Sequence, residues 1–165
     1  MGGMRLYYHL WNVAVSLTPR RLKLLQNEFG DLGAAWRRAG KATIRALDVE
    51  EARIDEIVTR IREIDPARQE ELLKKNGIDF VTQDDDSYPS ILREIYSPPS
   101  MLYWKGVQPD FDRPCVAIVG TRVPSDYGKD VTAHFAGRLA ESGFTVVSGF
   151  AEGVDQAAHA AALAA

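Results

Sequence analysis

Cysteine, long apolar runs and signal-peptide features are scarce or missing in this 165-residue sequence. The single cysteine, Cys115, excludes an internal disulfide and has no cysteine or histidine beside it at metal-ligand spacing. The longest apolar run near the N-terminus is interrupted by Asn12 and Ser16, and no run reaches the roughly 18 apolar residues of a membrane span. Arg5 is followed by tyrosines and a histidine instead of the apolar core of a signal peptide. We therefore predict a cytoplasmic protein that has no membrane association, metal site or cofactor.

Basic residues are scarce in the second part of the chain. The net charge is -3, but residues 1–75 carry 14 basic and 11 acidic side chains, whereas residues 76–165 carry 6 and 12. The local charges are thus +3 and -6, which excludes a protein that binds nucleic acid through a uniformly basic surface. Any anion must be bound by a few well-placed donors. The basic clusters at 20–23 and 37–41 are candidates, although solvated helix faces are the plainer interpretation.

Capping residues predict a small helical domain over residues 1–76. The predicted helix starts are Thr18-Pro19, Asp31, a capping box of Asp48 with Glu51, and Asp65-Pro66. The predicted ends are Gly30, Gly40 and Asn76-Gly77. After Asp48, apolar residues recur at the spacing of an amphipathic helix, namely Ile54, Ile57, Val58, Ile61 and Ile64.

Residues 77–114 predict a linker of short strands and extended segments. Strand-like segments cover 78–82 and 91–95, with an acidic turn between them. Ser97-Pro98-Pro99 is incompatible with a helix, because each proline lacks an N–H donor and restricts the residue before it. The segment 101–104 then predicts an edge strand that ends at Gly106.

From Cys115 the pattern changes to that of an α/β domain, residues 115–165. The apolar run 116–119 predicts a strand buried on both faces, with Cys115 as a small apolar residue at its start. Ser125 or Asp126 caps a helix to about residue 141, the run 144–147 predicts a second buried strand, and another helix opens near Gly153. This β-α-β-α order is the beginning of a doubly wound parallel sheet. Because two strands do not form a stable layer, we expect the chain to be a piece of a longer protein or to be completed by a partner chain.

Two turns follow the predicted strands at the edge where such sheets bind ligands. In the first, Gly120 permits close approach of an anion, Thr121 supplies a hydroxyl, and Arg122 supplies a charged fork suited to phosphate. The second turn again places a hydroxyl and two glycines before a helix, in the order Ser148, Gly149, Phe150, Ala151, Glu152, Gly153. In the alternative interpretation, the glycines only make tight turns and Arg122 forms an ordinary ion pair.

Neither turn has the spacing of a dinucleotide-binding or P-loop motif, so NAD and ATP binding are disfavoured. Asp155 and His159 lie four residues apart on one helix face, but they make an unconvincing acid/base pair. We expect Asp155 to bind loop N–H groups and His159 to pack or cap. We predict no catalytic residue.

Linked motifs after residue 78 occur in an order typical of one protein family. They are Tyr88-Pro89-x-x-Leu92-x-x-Ile95, Pro98-Pro99-x-x-Leu102-Tyr103-x-x-Gly106, Ala117-Ile118-Val119-Gly120-Thr121-Arg122, Ser125-x-Tyr127-Gly128, Ser148-Gly149-x-Ala151-x-Gly153-Val154-Asp155 and Ala158-His159. Together they closely resemble the DprA/Smf family of DNA-processing proteins. Residues 1–76 resemble more loosely that family's sterile-alpha-motif-like or helix-hairpin-helix-like domain. The resemblance implies an α/β protein with a small helical domain followed by an incomplete Rossmann-like parallel-sheet domain.

The resemblance also implies a function. Members of the family bind single-stranded DNA without sequence preference, usually as a homodimer, and load the RecA recombinase onto DNA during natural transformation; this role is not enzymatic. The phosphate-contacting turn of the family carries over to Gly120, Thr121 and Arg122. Its second glycine-rich loop carries over to Ser148, Gly149, Phe150, Ala151 and Gly153. Val154 stands where the family more often has isoleucine.

Two other functions stay open at this point. The first is a Rossmann-like nucleotide-binding enzyme such as a nucleoside-monophosphate phosphoribohydrolase, which needs a catalytic carboxylate beside a further glycine-rich loop that does not occur before Ala165. The second is an interaction module in which the helical domain binds protein or duplex DNA through Arg20, Arg21, Arg37 and Arg38. For the single-stranded DNA function, Phe150 could stack on a base.

Overall fold

The computed structural model describes residues 3–108, 110 and 113–165. It divides the chain into two compact units, residues 1–109 and residues 110–165. Most of the predicted linker, 77–114, therefore lies within the first unit. None of the described helices is long and apolar enough to cross a bilayer.

The first unit is a helical bundle joined to a two-stranded sheet. Its elements in chain order are α1 (Gly3–Val15), α2 (Pro19–Phe29), α3 (Leu32–Arg38), α4 (Lys41–Ala46), a 3-10 turn (Glu51–Arg53), α5 (Ile54–Glu63), α6 (Pro66–Lys75), β1 (Ile78–Thr82), α7 (Ser90–Arg93) and β2 (Met101–Lys105). The strands β1 and β2 pair antiparallel, with Phe80 opposite Tyr103. Both strands lie where the sequence predicts them.

Three of the predicted helix starts are confirmed by their hydrogen bonds. The side chain of Thr18 accepts from the N–H of Arg21, that of Asp31 from Ala34, and that of Asp65 from Ala67. Each cap occupies an N–H group that has no partner inside its helix.

The predicted capping box at Asp48 is wrong. Asp48 has φ 58, whereas an N-cap residue needs extended backbone, and its carboxylate instead forms an ion pair with Arg20 at 3.1 Å. The 3-10 turn leads into α5, whose predicted apolar face is nevertheless buried at Ile54 and Ile57.

The prediction that 91–95 is extended is also wrong. Pro89 is the N-cap residue of the short helix α7, with φ -55 and ψ 121. Its carbonyl accepts from the N–H groups of Leu92 and Arg93, which forms the helical turn. Proline is compatible with this position, because the first turn of a helix does not need its missing N–H.

The core of the first unit centres on α1. Leu10 and Trp11 are fully buried, the Trp11 ring packs edge-on against Trp36 at 5.3 Å, and its Nε1 donates to the carbonyl of Leu32 at 3.0 Å. Phe80 of β1 joins the same core, so the sheet closes one side of the bundle.

A polar network links α1 to the sheet. His9 is buried; its Nδ1 lies 2.7 Å from the hydroxyl of Tyr103 and its Nε2 lies 3.4 Å from Oε1 of Gln69. Burial lowers the pKa of His9, and the hydrogen bond to Gln69 opposes this shift in part. The neutral imidazole is therefore the form that the fold favours.

The second unit contains a small parallel sheet and two helices, as the sequence predicts. Its elements are β3 (Cys115–Ala117), α8 (Asp126–Glu141), β4 (Thr145–Val147) and α9 (Val154–Ala164). The strands pair in parallel, with Val116 opposite Val146. Small side chains allow close packing in this unit, and Ala136 of α8 and Ala158 of α9 are completely buried.

The prediction that both of these strands are buried on both faces is wrong. Cys115 and Ala117 are exposed, and Val119 and Val147 are 72% and 48% exposed. The described part of this unit has no third strand beside the pair, so each strand keeps one open edge.

Candidate functional site

The two turns at the carboxyl ends of β3 and β4 contact each other directly. The N–H of Val154 donates to the carbonyl of Thr121 at 3.2 Å. Gly153 has φ 87, and a Cβ atom there would lie 2.6 Å from the carbonyl oxygen of Arg122. At Gly120, a Cβ would lie 2.7 Å from a methyl group of Val154. Both glycines are therefore required for the turns to approach, a packing role that adds to the anion access predicted from the sequence.

The first turn leaves its charged group open. Arg122 is exposed and forms no ion pair with any acidic residue that the structure describes. The ordinary ion pair of the alternative interpretation is thus not observed. Gly120 and Arg122 also have no backbone hydrogen bond within the described residues. The Oγ1 of Thr121 accepts from the N–H of Val123 at 3.2 Å, which leaves its O–H as a donor.

The second turn is more occupied by its own contacts. The hydroxyl of Ser148 donates to the carbonyl of Ile118 at 2.7 Å, which ties the turn to the neighbouring strand. Asp155 is buried, and its Oδ2 accepts from the N–H of Ala151 at 3.4 Å, as expected for this residue. The carboxylate of Asp155 already accepts from this N–H group and therefore competes with an external anion. The first turn is therefore the stronger anion-binding candidate.

An open groove of about 1190 Å³ lies beside both turns. It extends from Arg122 to the α9 side chains Gln156 and His159. Phe150 forms part of its wall; this side chain is 86% exposed, and its ring lies 5.4 Å from the His159 ring. The ring contact confirms that His159 packs. Its Nε2, however, is buried without a hydrogen-bond partner, which sequence patterns did not indicate.

The basic residues of the first unit have structural contacts that reduce their availability. Arg21 donates from Nε to the carbonyl of Leu47 at 2.9 Å and from Nη1 to that of Ser16 at 3.2 Å. Arg20 is paired with Asp48, as described above. In the connection between α1 and α2, the N–H of Leu17 donates to the side chain of Asn12 at 3.0 Å. Because Arg20 and Arg21 are engaged in these contacts, Arg37 and Arg38 are the remaining basic residues named in the interaction-module alternative.

Comparison with known proteins identifies relatives of the chain. A family model described as DNA recombination-mediator protein A matches residues 79–165. Protein Smf of Synechocystis sp. is 34% identical over 161 residues, which cover 95% of this chain and 40% of the relative. DNA processing protein DprA of Bacillus subtilis is 37% identical over 91 residues, covering 54% of this chain and 31% of the relative.

The fold comparison agrees with the sequence comparison. The crystal structure of DNA processing protein A from Streptococcus pneumoniae matches with a TM-score of 0.61 and 26% identity, over 96% of this chain and 54% of the other. The chain spans less than half the length of the two curated relatives above. The predicted α/β class with its small Rossmann-like sheet is confirmed. The motifs, the fold and these relatives together show that the chain belongs to the DprA/Smf family, whose family model is described as DNA recombination-mediator protein A.

Proposed function

We propose that the second unit binds single-stranded DNA through phosphate contacts at the turn 120–122, with additional contacts from the loop 148–153. The observation that carries the proposal is the exposed guanidinium of Arg122, which has no ion-pair partner among the described residues and borders the groove. A guanidinium presents two parallel N–H donors to a phosphate, so it suits this ligand.

The other basic residues of the unit support the choice of Arg122. Residues 110–165 contain four basic side chains. Arg113 donates to the carbonyl of Gly143, Lys129 pairs with Asp126, and Arg138 pairs with Glu141. Phosphate binding therefore depends on few groups. We expect the affinity for DNA to fall only gradually as the salt concentration rises, and to be independent of base sequence.

The relatives support a DNA-processing role for the protein as a whole. Two of them are named DNA processing protein DprA, and the family model is described as a recombination mediator. We include in the proposal a non-enzymatic role in natural transformation, with loading of RecA onto DNA and assembly as a homodimer. The phosphoribohydrolase alternative receives no support from these names.

Replacement of Arg122 by alanine tests the phosphate contact. We expect Arg122→Ala to weaken binding of a fluorescein-labelled oligothymidylate about tenfold, the loss typical of a hydrogen bond to a charged group. Binding is measured by fluorescence anisotropy at several salt concentrations, and the variant should also show a smaller salt slope.

Arg138→Ala is the matched control, because it removes the same charge from an exposed pair on α8 of the same unit. The control should bind within about twofold of the wild type, since such surface pairs contribute little. Equal affinities for wild type and Arg122→Ala would refute the proposed site.

A further inference from the structure

Two carboxylates of the second unit are not neutralised, and both lie at the groove. Residues 110–165 carry four basic and seven acidic side chains, a net charge of 4 - 7 = -3. Three of the acidic residues are engaged in contacts, namely Asp126 with Lys129, Glu141 with Arg138, and Asp155 with the N–H of Ala151. Asp130 and Glu152 are exposed and form no ion pair with any residue that the structure describes, and both line the groove.

The fold fixes the position of these carboxylates relative to the first turn. Glu152 is followed by Gly153, where an added Cβ would lie 2.6 Å from the carbonyl oxygen of Arg122, so the backbone of Glu152 is held beside that turn. Asp130 belongs to α8, which lines the groove from another side. Lys129 also lines the groove, but its ammonium group is paired with Asp126 at 3.1 Å. A single unpaired guanidinium therefore shares the groove with two unpaired carboxylates.

Such an arrangement treats one phosphate backbone differently from two. Two unit charges about 8 Å apart in water change a binding constant about twofold, so each phosphate brought near a carboxylate weakens binding by about this factor. Duplex DNA carries one negative charge per about 1.7 Å of its axis, whereas each of its strands carries one per about 3.4 Å. A duplex therefore places about twice as many phosphates near a carboxylate, which doubles the unfavourable free energy.

We propose that Glu152 and Asp130 determine which form of DNA the groove accepts: their carboxylates repel the second backbone of a duplex and so favour a single strand. This proposal rests on the proposed function, because a phosphate bound at Arg122 brings the DNA to the groove. A single strand is flexible, so it can contact Arg122 and bend away from the carboxylates. A duplex is stiff over about 150 base pairs and holds its two backbones at a fixed spacing. Contact of a duplex with Arg122 therefore brings further phosphates towards the carboxylates.

The test uses one fluorescein-labelled strand of about 16 nucleotides, either alone or annealed to its complement. Binding of the full chain to each form is measured by fluorescence anisotropy. We expect Glu152→Gln to strengthen binding of the single strand about threefold and binding of the duplex about tenfold. Asp130→Asn should act in the same direction, by about twofold and about fivefold. Both gains should shrink as the salt concentration rises, because the Debye length falls from about 10 Å at 0.1 M to about 3 Å at 1 M.

The variants are chosen to separate the position of a charge from the total charge. Glu152→Gln and Asp130→Asn keep the shape of exposed side chains, so urea unfolding should be unchanged within about 0.5 kcal/mol. The matched control is Glu141→Gln, which makes the same change of charge at an exposed residue of α8 that does not line the groove. The control should bind both forms of DNA within about twofold of the wild type. Gains in the control equal to those of Glu152→Gln would refute the inference, because total charge would then explain them.

The outcomes distinguish this inference from the proposed function. If Glu152→Gln and Asp130→Asn bind both forms as the wild type does, while Arg122→Ala binds the single strand more weakly, the role of the carboxylates is refuted and the phosphate site stands. Equal gains for the single strand and the duplex also refute the inference, because the carboxylates would then repel DNA without distinguishing its forms. If the wild type does not bind the single strand, or Arg122→Ala binds it as the wild type does, the proposed function fails and this inference fails with it.

Discussion

Gly153 lies where the two turns contact each other, and its replacement by alanine tests directly how the site is built. Its φ of 87 and ψ of -122 fall in a region that is accessible almost only to glycine. A Cβ would lie 2.6 Å from the carbonyl oxygen and 2.7 Å from the carbonyl carbon of Arg122. Both are backbone atoms, so no side chain can rotate away to relieve the contact.

The expected loss of stability has two sources, the strained backbone conformation and the close contact of the added Cβ. The strained backbone costs about 1–3 kcal/mol, and forcing an extra carbon into a packed contact costs about 1–3 kcal/mol more. A unit of 56 residues, 110–165, has a total stability of about 3–8 kcal/mol. We therefore expect Gly153→Ala to remove about 4 kcal/mol, which is most of the stability of the second unit.

The distribution of tryptophans provides the assay. Trp11, Trp36 and Trp104 all belong to the first unit. Urea unfolding followed by tryptophan fluorescence thus reports on the first unit, whereas circular dichroism also detects α8 and α9. For Gly153→Ala, part of the circular dichroism signal should be lost at lower urea, while the fluorescence transition stays in place.

Gly143→Ala is the matched control for the backbone term alone. Gly143 also has positive φ, at 88, but a Cβ there would have its nearest neighbour 4.0 Å away, at a guanidinium nitrogen of Arg113. This substitution should cost only about 1–2 kcal/mol. If Gly153→Ala and Gly143→Ala shift the circular dichroism transition equally, the close contact between the turns does not contribute to stability and the reasoning is wrong.

Two further predictions concern the first unit. Arg21→Ala should lower the stability of this unit by about 2 kcal/mol, because the carbonyl of Leu47 loses a charged donor, whereas Arg20→Ala should cost less than about 0.5 kcal/mol, because the Arg20 ion pair is exposed. Urea unfolding followed by fluorescence measures both losses. Equal losses for the two variants would contradict the structural role of Arg21. The lowered pKa of His9 should make the first unit less stable as the pH falls below the ordinary imidazole value of about 6.5, because the unfolded chain binds the proton more readily. Between about pH 7.5 and pH 5.5, the urea midpoint of unfolding should therefore fall more for the wild type than for His9→Gln. An equal fall for the two proteins would argue against this role of His9.

The helix starts could be predicted from the sequence because a cap is a local interaction. The hydrogen bonds of Thr18, Asp31 and Asp65 reach only two or three residues along the chain, so residue type and position suffice. The same reasoning failed at Asp48, whose positive φ depends on the surrounding fold. The start of α1 was also missed, because no serine, threonine, aspartate or asparagine precedes Gly3 in the sequence.

The burial of residues and the contacts of the site were harder to predict from the sequence. The apolar run that includes Val119 predicts a buried strand, but burial depends on neighbouring strands, which a single segment does not specify. The sequence located both turns, since glycine before a helix is a local pattern. It could not indicate that Gly153 faces the backbone of Arg122, or that Nε2 of His159 lacks a partner, because both are tertiary features.

The direct contact between the turns has a consequence for mutational mapping. Thr121 and Val154 are joined by a main-chain hydrogen bond, and the close approach depends on Gly120 and Gly153, which have no side chains to delete. Alanine substitution of Arg122 would therefore report a ligand contact while leaving the scaffold intact, whereas the side chains of Ser148 and Asp155 also hold the second turn. Substitutions that add atoms, such as glycine to alanine, would reveal the main-chain part of the scaffold. The site thus allows contributions to recognition and to architecture to be measured by two separate sets of variants.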